Sequence, residues 1–202
     1  KHAFTARLSL YQGQKQEQFS ITGADMAHAA QKALEKVAAG SLVVAKLEKK
    51  TRKRNPAAPF TTSTLQQEAA RKLGFGAQRT MRTAQQLYEG IDAGEGAVGL
   101  ISYMRTDSVS LAQEAVTEIR AFITQRYGAD NLPKQPHTYK TRAKNAQEAH
   151  EAVRPTSVER TPESIKAHLS TDQFRLYQLI WKRTVACQMI HATIDTVSVD
   201  FT

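Results

Sequence analysis

The segment 102–108 reads Ser-Tyr-Met-Arg-Thr-Asp-Ser and combines a phenol, a guanidinium and a carboxylate at spacings of two. A short apolar run, 98–101, leads into it and predicts a strand. Because side chains alternate along a strand, we expect Tyr103, Arg105 and Asp107 to share one face. A tyrosine beside a fixed cation suits attack on a phosphodiester, since the cation can hold the phosphate and stabilise charge on its oxygens. A strand with a half-buried tyrosine and a surface ion pair is the alternative.

A second candidate lies in the segment 146–153, which is predicted as a short helix that stops before Pro155. On a helix, His150 and Arg154 share a face, and this pair suits an anion such as phosphate. The imidazole can also donate a hydrogen bond or move a proton near neutral pH. A surface turn held by an ion pair between Glu151 and Arg154 fits the same residues. The zinc-protease pattern is not met, because Arg154 stands where that pattern needs a second histidine.

The composition limits the classes of function. The 202 residues carry a formal net charge of +9, which favours a polyanionic partner such as nucleic acid. Two basic runs, at 46–54 and 134–144, are predicted to be loops. Cys187 is the only cysteine, so an internal disulfide and a cysteine-rich zinc site are excluded, and a reducing cytoplasm is expected. No apolar run approaches the roughly 20 residues that span a bilayer, and no acidic cluster has metal-ligand spacing.

The middle of the chain is predicted to be helical. Two helices, at 62–73 and 77–88, flank a short glycine-containing turn, which is helix-turn-helix spacing. The second helix carries Arg79 and Arg82, side chains suited to phosphates and base edges. A strand follows, so the unit resembles a winged helix with Tyr103 at the end of the wing strand. Two helices that only pack together fit the same pattern.

Capping residues predict where the later helices begin. Ser108 or Ser110 is expected to begin a helix that ends at Gly128. Thr161, followed by proline, is expected to begin a short helix, and Ser170 to begin the last long one.

The two ends of the chain show the alternation of strands. Strands are predicted at residues 4–11, 19–21, 41–48 and 192–201. We expect the first two to pair with each other, and a helix over 22–39 to follow them. The pattern predicts an α+β, mostly helical fold. A discontinuous β-rich domain, 1–57 with 190–202, is expected to carry the helical domain 58–189 as an insertion.

Longer blocks of the sequence resemble one protein family. The blocks are residues 59–67, 73–75, 80–89, 99–108, 147–155 and 177–189. In this order they resemble bacterial DNA topoisomerase I, a type IA enzyme. The forms Tyr-Met-Arg-Thr-Asp and His-Glu-Ala-Val-Arg-Pro look like the topoisomerase I branch rather than topoisomerase III. The two ends of the chain match more loosely, as strands of the family's arch.

The resemblance implies a mechanism. Tyr103 is expected to be the nucleophile that cuts one DNA strand and keeps a 5′-phosphotyrosine link while the intact strand passes. Negatively supercoiled DNA is thereby relaxed without ATP. Arg105 is expected to bind the scissile phosphate, His150 to contact DNA near it, and Asp107 to order the site. Further DNA contacts are expected from Arg79, Arg82 and Arg154.

The resemblance also has departures. The family's acidic Toprim domain, which binds Mg²⁺, has no counterpart in this sequence, and neither has its groove domain for single-stranded DNA. The chain is therefore expected to be the central part of a cytoplasmic enzyme, inactive alone, whose Mg²⁺ ligands lie elsewhere. Its expected partners are single-stranded segments of DNA and the missing domains. The alternative is a non-catalytic winged-helix module that reads duplex DNA through Arg79, Arg82 and Gln86. The loop 91–97 has no assigned role.

Overall fold

The computed structural model describes residues 3–92, 96–140 and 151–202. The described helices are α1 (Ala24–Ala38), α2 (Thr62–Leu73), α3 (Ala77–Glu89), α4 (Gln113–Tyr127), α5 (Pro162–Ile165) and α6 (Thr171–Ala186). The described strands are β1 (Leu10–Tyr11), β2 (Gln14–Lys15), β3 (Val44–Arg54), β4 (Ile91–Asp92), β5 (Ala97–Val98) and β6 (Ala192–Phe201). This mixed α/β chain divides into two compact units, 1–52 with 195–202 and 53–194. None of the described helices has the length and apolar character needed to cross a membrane.

The smaller unit contains α1 and short antiparallel pairings. Strands β1 and β2 pair across Gln12 and Gly13, whose φ angles of 51° and 78° make a tight reversal. The predicted pairing of 4–11 with 19–21 is therefore wrong, because the chain turns back before residue 14. The helix predicted over 22–39 is confirmed as α1.

The two longest described strands, β3 and β6, pair with each other. Beside it, Val43 and Thr202 exchange backbone hydrogen bonds of 3.0 and 2.9 Å, and the ring of Phe4 stacks on that of Phe201. The basic run 46–54 lies on β3, so the predicted loop is wrong there. Nearly all side chains of β3 are exposed, so the basic run needs no apolar alternation to lie on a strand.

The larger unit holds the main hydrophobic core, formed where α2, α3, α4 and α6 pack together. Its largest fully buried side chains include Phe60, Leu65, Phe75, Leu87, Leu100, Met104, Ile119, Ile123, Leu176, Tyr177 and Ile180. Tyr177 donates to the carbonyl of Arg160 at 2.7 Å, and Trp181 donates to that of Val158 at 2.9 Å. Burial raises the pKa of the Tyr177 hydroxyl. Cys187 is buried too, and burial raises the pKa of its thiol to about 12.

Side-chain caps explain where two helices of this core begin. Helix α6 starts at the predicted Ser170, whose hydroxyl accepts a hydrogen bond from the third residue of the helix. Helix α2 has its capping box between Thr61 and Thr64. Ser63–Gln66 and Thr64–Gln67 also have the residue spacing of a capping box, but the helix begins before them, at Thr62.

The residue at the N-cap of helix α4, Ala112, has no side chain that could cap the helix. The helix starts at Gln113, and the N–H of Ala112 donates to the carboxylate of the distant Glu151. The predicted caps Ser108 and Ser110 are therefore wrong. A carboxylate at this place also suits the positive end of the helix dipole.

A partly buried carboxylate ties α2 to α6. Glu68 on α2 is 13% exposed and forms ion pairs with Arg71 and Lys72, both at 2.9 Å, and with Arg183 of α6 at 3.7 Å. The hydrogen bond from Lys72 is the main cause that lowers the pKa of Glu68, and burial opposes it.

We expect Glu68→Gln to lower the free energy of unfolding by about 1–2 kcal/mol at neutral pH. The folded pKa of Glu68 lies below the unfolded value of about 4.3, so the charge stabilises the fold above that value. The stabilisation is lost as the pH falls through the folded pKa. Denaturant unfolding of both proteins near pH 7 and below about pH 4 measures this difference, which should shrink in acid.

The matched control is Glu159→Gln, because Glu159 is exposed and forms no ion pair with any described residue. The account of Glu68 is contradicted if both substitutions cost the same, or if the cost at Glu68 does not change with pH.

Candidate functional site

The predicted site lies where three extended segments of the larger unit meet. Phe60 forms an antiparallel bridge with Val153, and Ile101 forms another with Pro155. The N–H of Val153 donates to the carbonyl of Phe60 at 2.8 Å. The segment around 101–108 therefore has neighbours that satisfy its backbone, although no regular strand forms there.

Side chains along this segment alternate between solvent and core. Tyr103 is 44% exposed, and Arg105 and Asp107 are exposed as well. Met104 is fully buried and Ser108 nearly so. The alternation expected from the sequence is therefore observed. The phenol of Tyr103 and the guanidinium of Arg105 are therefore both open to solvent.

The hydroxyl of Thr62 holds the downstream part of the segment. Its Oγ1 lies 2.7 Å from the carbonyl oxygen of Met104 and 3.1 Å from that of Thr106, and it accepts the N–H of Thr106 at 2.9 Å. The N–H of Thr62 also donates to the carbonyl of Thr106 at 2.9 Å. The first residue of α2 thus fixes the backbone on both sides of Arg105.

The hydroxyl of Ser102 holds the upstream part. Its Oγ donates to the carbonyl of Ala152 at 2.7 Å and accepts the N–H of Arg154 at 3.0 Å. The backbone N–H of Ser102 donates to the carbonyl of Arg154 at 2.8 Å. The residue before Tyr103 is thereby fixed to the segment 152–154.

The structure uses Arg154 within the fold. Its guanidinium donates to Glu151 Oε2 at 2.7 and 3.2 Å and to the carbonyl of Pro155 at 3.0 Å. The side chain is 17% exposed. Glu151 also accepts from the start of α4, so this pair fixes the loop before Pro155. The alternative ion pair between Glu151 and Arg154 is therefore present.

His150 lies outside the described residues, as does most of the predicted helix 146–153. The described part, 151–153, is extended, because the N–H of Val153 pairs with the carbonyl of Phe60. The helical prediction is wrong for these three residues. The role predicted for His150 stays a prediction.

The two arginines predicted on α3 have different surroundings. Arg79 donates from Nε and Nη2 to both carboxylate oxygens of Asp172 at 2.7 Å, and its guanidinium lies over the ring of Phe75. The hydrogen bond from Arg79 holds the pKa of Asp172 below its usual value. Arg82 is exposed and borders a cleft between Gln86 and the start of α6. Both guanidinium groups are exposed, but that of Arg79 is held by hydrogen bonds to a carboxylate.

The described residues do not fit a magnesium ion. Among residues 3–92, 96–140 and 151–202, no three His, Cys, Asp or Glu side chains form a group that could hold a metal. Magnesium prefers oxygen ligands in octahedral geometry.

Comparison with known proteins decides the family. A family model described as DNA topoisomerase matches residues 2–202. The chain belongs to the type IA DNA topoisomerase family. DNA topoisomerase 1 of Xylella fastidiosa is 57% identical over 198 residues, which are 98% of this chain and 24% of that protein. DNA topoisomerase 1 of Rickettsia felis is 52% identical over 194 residues, which are 96% of this chain and 25% of that protein.

A solved structure of this family has the same architecture. The full-length topoisomerase I of Thermotoga maritima matches 84% of this chain and 27% of its own length, with a TM-score of 0.69 and 39% identity. The chain spans about a quarter of the length of the curated relatives it matches. It therefore corresponds to one part of a type IA topoisomerase.

The sequence does not reveal which residues hold the backbone segment around Tyr103. Thr62 and Ser102 each bond to backbone groups 40 or more residues away in sequence. The sequence suggests Glu151 only as a partner of Arg154, not as the cap of α4. One local signal for Thr62 is present: residues 61–64 are all hydroxyl residues, which is more than one helix cap needs.

We expect Thr62→Val to lower the free energy of unfolding by about 1–2 kcal/mol more than Thr117→Val. Thr62 bonds the segment that carries Arg105, whereas Thr117 donates only to a carbonyl of its own helix. Hydrogen exchange of the Thr106 amide should accelerate in Thr62→Val, because its acceptor is removed. Equal costs and an unchanged Thr106 amide would show that Thr62 does not hold this segment.

Proposed function

We propose that this chain is the tyrosine-bearing part of a longer type IA topoisomerase, which cuts one DNA strand through a 5′-phosphotyrosine link at Tyr103. Passage of the intact strand then relaxes negatively supercoiled DNA. The observation that carries the proposal is the shared exposure of Tyr103 and Arg105 on a backbone segment held at both ends. Family membership and the length of the relatives support it.

The proposed reaction is a reversible exchange of phosphodiester bonds. The Tyr103 hydroxyl oxygen attacks the phosphorus, a bond from that oxygen to phosphorus forms, and the bond to the 3′ oxygen breaks. The phenol gives up a proton to solvent or a base, and the leaving 3′ oxygen gains one. Resealing runs the same steps backwards. Because the phosphotyrosine keeps the energy of the phosphodiester, neither ATP nor a redox partner is needed.

Arg105 is proposed to bind the scissile phosphate. Its guanidinium forms no hydrogen bond or ion pair with any described residue, so its donors face solvent. A planar guanidinium can donate two parallel hydrogen bonds to phosphate and stabilise the charge that builds up on its oxygens. Asp107, on the same side, is proposed to order the site, and His150 to contact DNA nearby. Mg²⁺ is proposed to be held by residues outside this chain.

The helices α2 and α3 with the β4–β5 hairpin are proposed to form a winged-helix unit. The hairpin pairs Ile91 with Val98 and follows α3 directly. Arg82 is proposed to contact DNA from the exposed side of α3, with Arg79 and Arg154 as weaker candidates because both are engaged by carboxylates. The β-rich ends, 1–57 with 190–202, are proposed to be part of the family's arch.

We expect Tyr103→Phe to abolish the covalent adduct with single-stranded DNA in the full-length protein, because only the nucleophilic oxygen is removed. Tyr127→Phe is the control, since Tyr127 is similarly exposed, at 43%, on α4. Labelled oligonucleotide that stays bound to denatured protein measures the adduct. Adduct formation by Tyr103→Phe at the normal rate would overturn the proposed nucleophile.

A non-catalytic module that reads duplex DNA is the second candidate. The exposure of Arg82 and Gln86 on α3 favours it. This candidate predicts that Arg82→Ala weakens duplex binding at least tenfold, while Tyr103→Phe leaves all activities unchanged. The topoisomerase proposal predicts preference for single strands and a modest effect of Arg82→Ala.

Removal of a side chain that binds a phosphate should also reduce the salt dependence of DNA affinity, which titration at several salt concentrations measures.

A further inference from the structure

The exposed phenol of Tyr103 rests against a second tyrosine. The ring centroids of Tyr88 and Tyr103 lie 5.3 Å apart with an interplanar angle of 64°, an edge-to-face contact. Both side chains stay accessible, at 40% and 44% exposure. No described residue forms a hydrogen bond with the hydroxyl of Tyr103. Among the described residues, the ring of Tyr88 is thus the group that can orient the Tyr103 side chain.

The backbones that carry the two rings are fixed against each other. The N–H of Leu100 donates to the carbonyl of Leu87 at 2.7 Å. A Cβ at Gly99 would lie 2.8 Å from the carbonyl oxygen of Tyr88, so only glycine permits this approach. The last turn of α3 therefore lies directly on the segment that leads to Tyr103. The backbone atoms that carry the Tyr88 ring therefore lie close to the segment that carries the Tyr103 ring.

We infer that Tyr88 is a positioning residue for the nucleophile: its ring selects the side-chain rotamer in which Tyr103 faces the DNA. This inference rests on the proposed function of Tyr103. An exposed tyrosine otherwise samples several rotamers. An edge-to-face contact favours one arrangement by about three- to tenfold, and misplacement of a reacting group lowers the rate further. Only the aromatic ring of Tyr88 is needed for this role, not its hydroxyl.

The first test measures cleavage of a single-stranded oligonucleotide by the full-length protein in a single turnover. We expect Tyr88→Ala to lower the maximal rate about tenfold and to leave the half-saturating DNA concentration unchanged. Tyr88→Phe keeps the ring and should restore the rate to within about twofold. Tyr88→Leu keeps apolar bulk without a ring and should lower the maximal rate as Tyr88→Ala does. It replaces the alanine variant in the test if that variant does not fold.

The matched control is Tyr127→Ala. Tyr127 is equally exposed and makes its own edge-to-face contact, with Phe122 at 6.3 Å. It should cost as much stability as Tyr88→Ala without lowering the maximal cleavage rate. The inference is overturned if Tyr88→Ala and Tyr88→Leu cleave at the wild-type rate, or if they change only the half-saturating concentration. The second outcome would make Tyr88 a DNA contact instead.

The second test needs no cleavage and separates this inference from the proposed function. In the full-length protein with ¹³C-labelled tyrosine, three-bond couplings between the ring carbon and the backbone report the χ1 rotamer of Tyr103. One dominant rotamer in the wild type and in Tyr88→Phe, but an average in Tyr88→Ala, would support positioning. The same dominant rotamer in all three proteins would overturn it. Absence of adduct in the wild type would instead overturn the proposed function of Tyr103.

Discussion

The geometry of the site depends on hydrogen bonds that bind an irregular backbone segment to its neighbours through two hydroxyl side chains. A segment outside regular helices and strands presents N–H and C=O groups that must find partners when they are withdrawn from water. Thr62 and Ser102 supply several of these partners, and the bridge from Ile101 to Pro155 supplies others. These bonds satisfy the backbone without using the side chains of Tyr103 and Arg105, which remain exposed.

The arginines of the larger unit differ in whether another residue holds the guanidinium. Arg79 and Arg183 each join two parts of the fold, whereas Arg154 holds the loop 151–155 through Glu151 and Pro155. Arg105 and Arg82, by contrast, form no hydrogen bond or ion pair with any described residue. A basic sequence alone does not distinguish these two uses. The distinction matters because a guanidinium already paired with a carboxylate must give up that partner before it can bind phosphate.

The sequence predicts the helices of the larger unit well, because their apolar spacing and caps are local. The predicted bounds of α2 match the observed ones, and Ser170 caps α6 as its position predicts. Predictions fail where distant residues decide the local structure. The start of α4 is capped by Glu151, which lies 39 residues beyond Ala112. Likewise, the extended form of 151–153 follows from pairing with Phe60. The side on which Tyr103 lies is predictable, because alternation is local, but the residues that hold it there are not.

The central claim is that the hydroxyl of Tyr103 is the group that becomes bonded to DNA. Peptide mapping of the trapped adduct by mass spectrometry, after nuclease digestion, tests it directly in the full-length protein. The account predicts a nucleotide mass on the peptide that contains Tyr103, attached through the 5′ phosphate and located on that residue by fragmentation. A nucleotide on Tyr88 or on another tyrosine, or a link through a 3′ phosphate, would contradict the account.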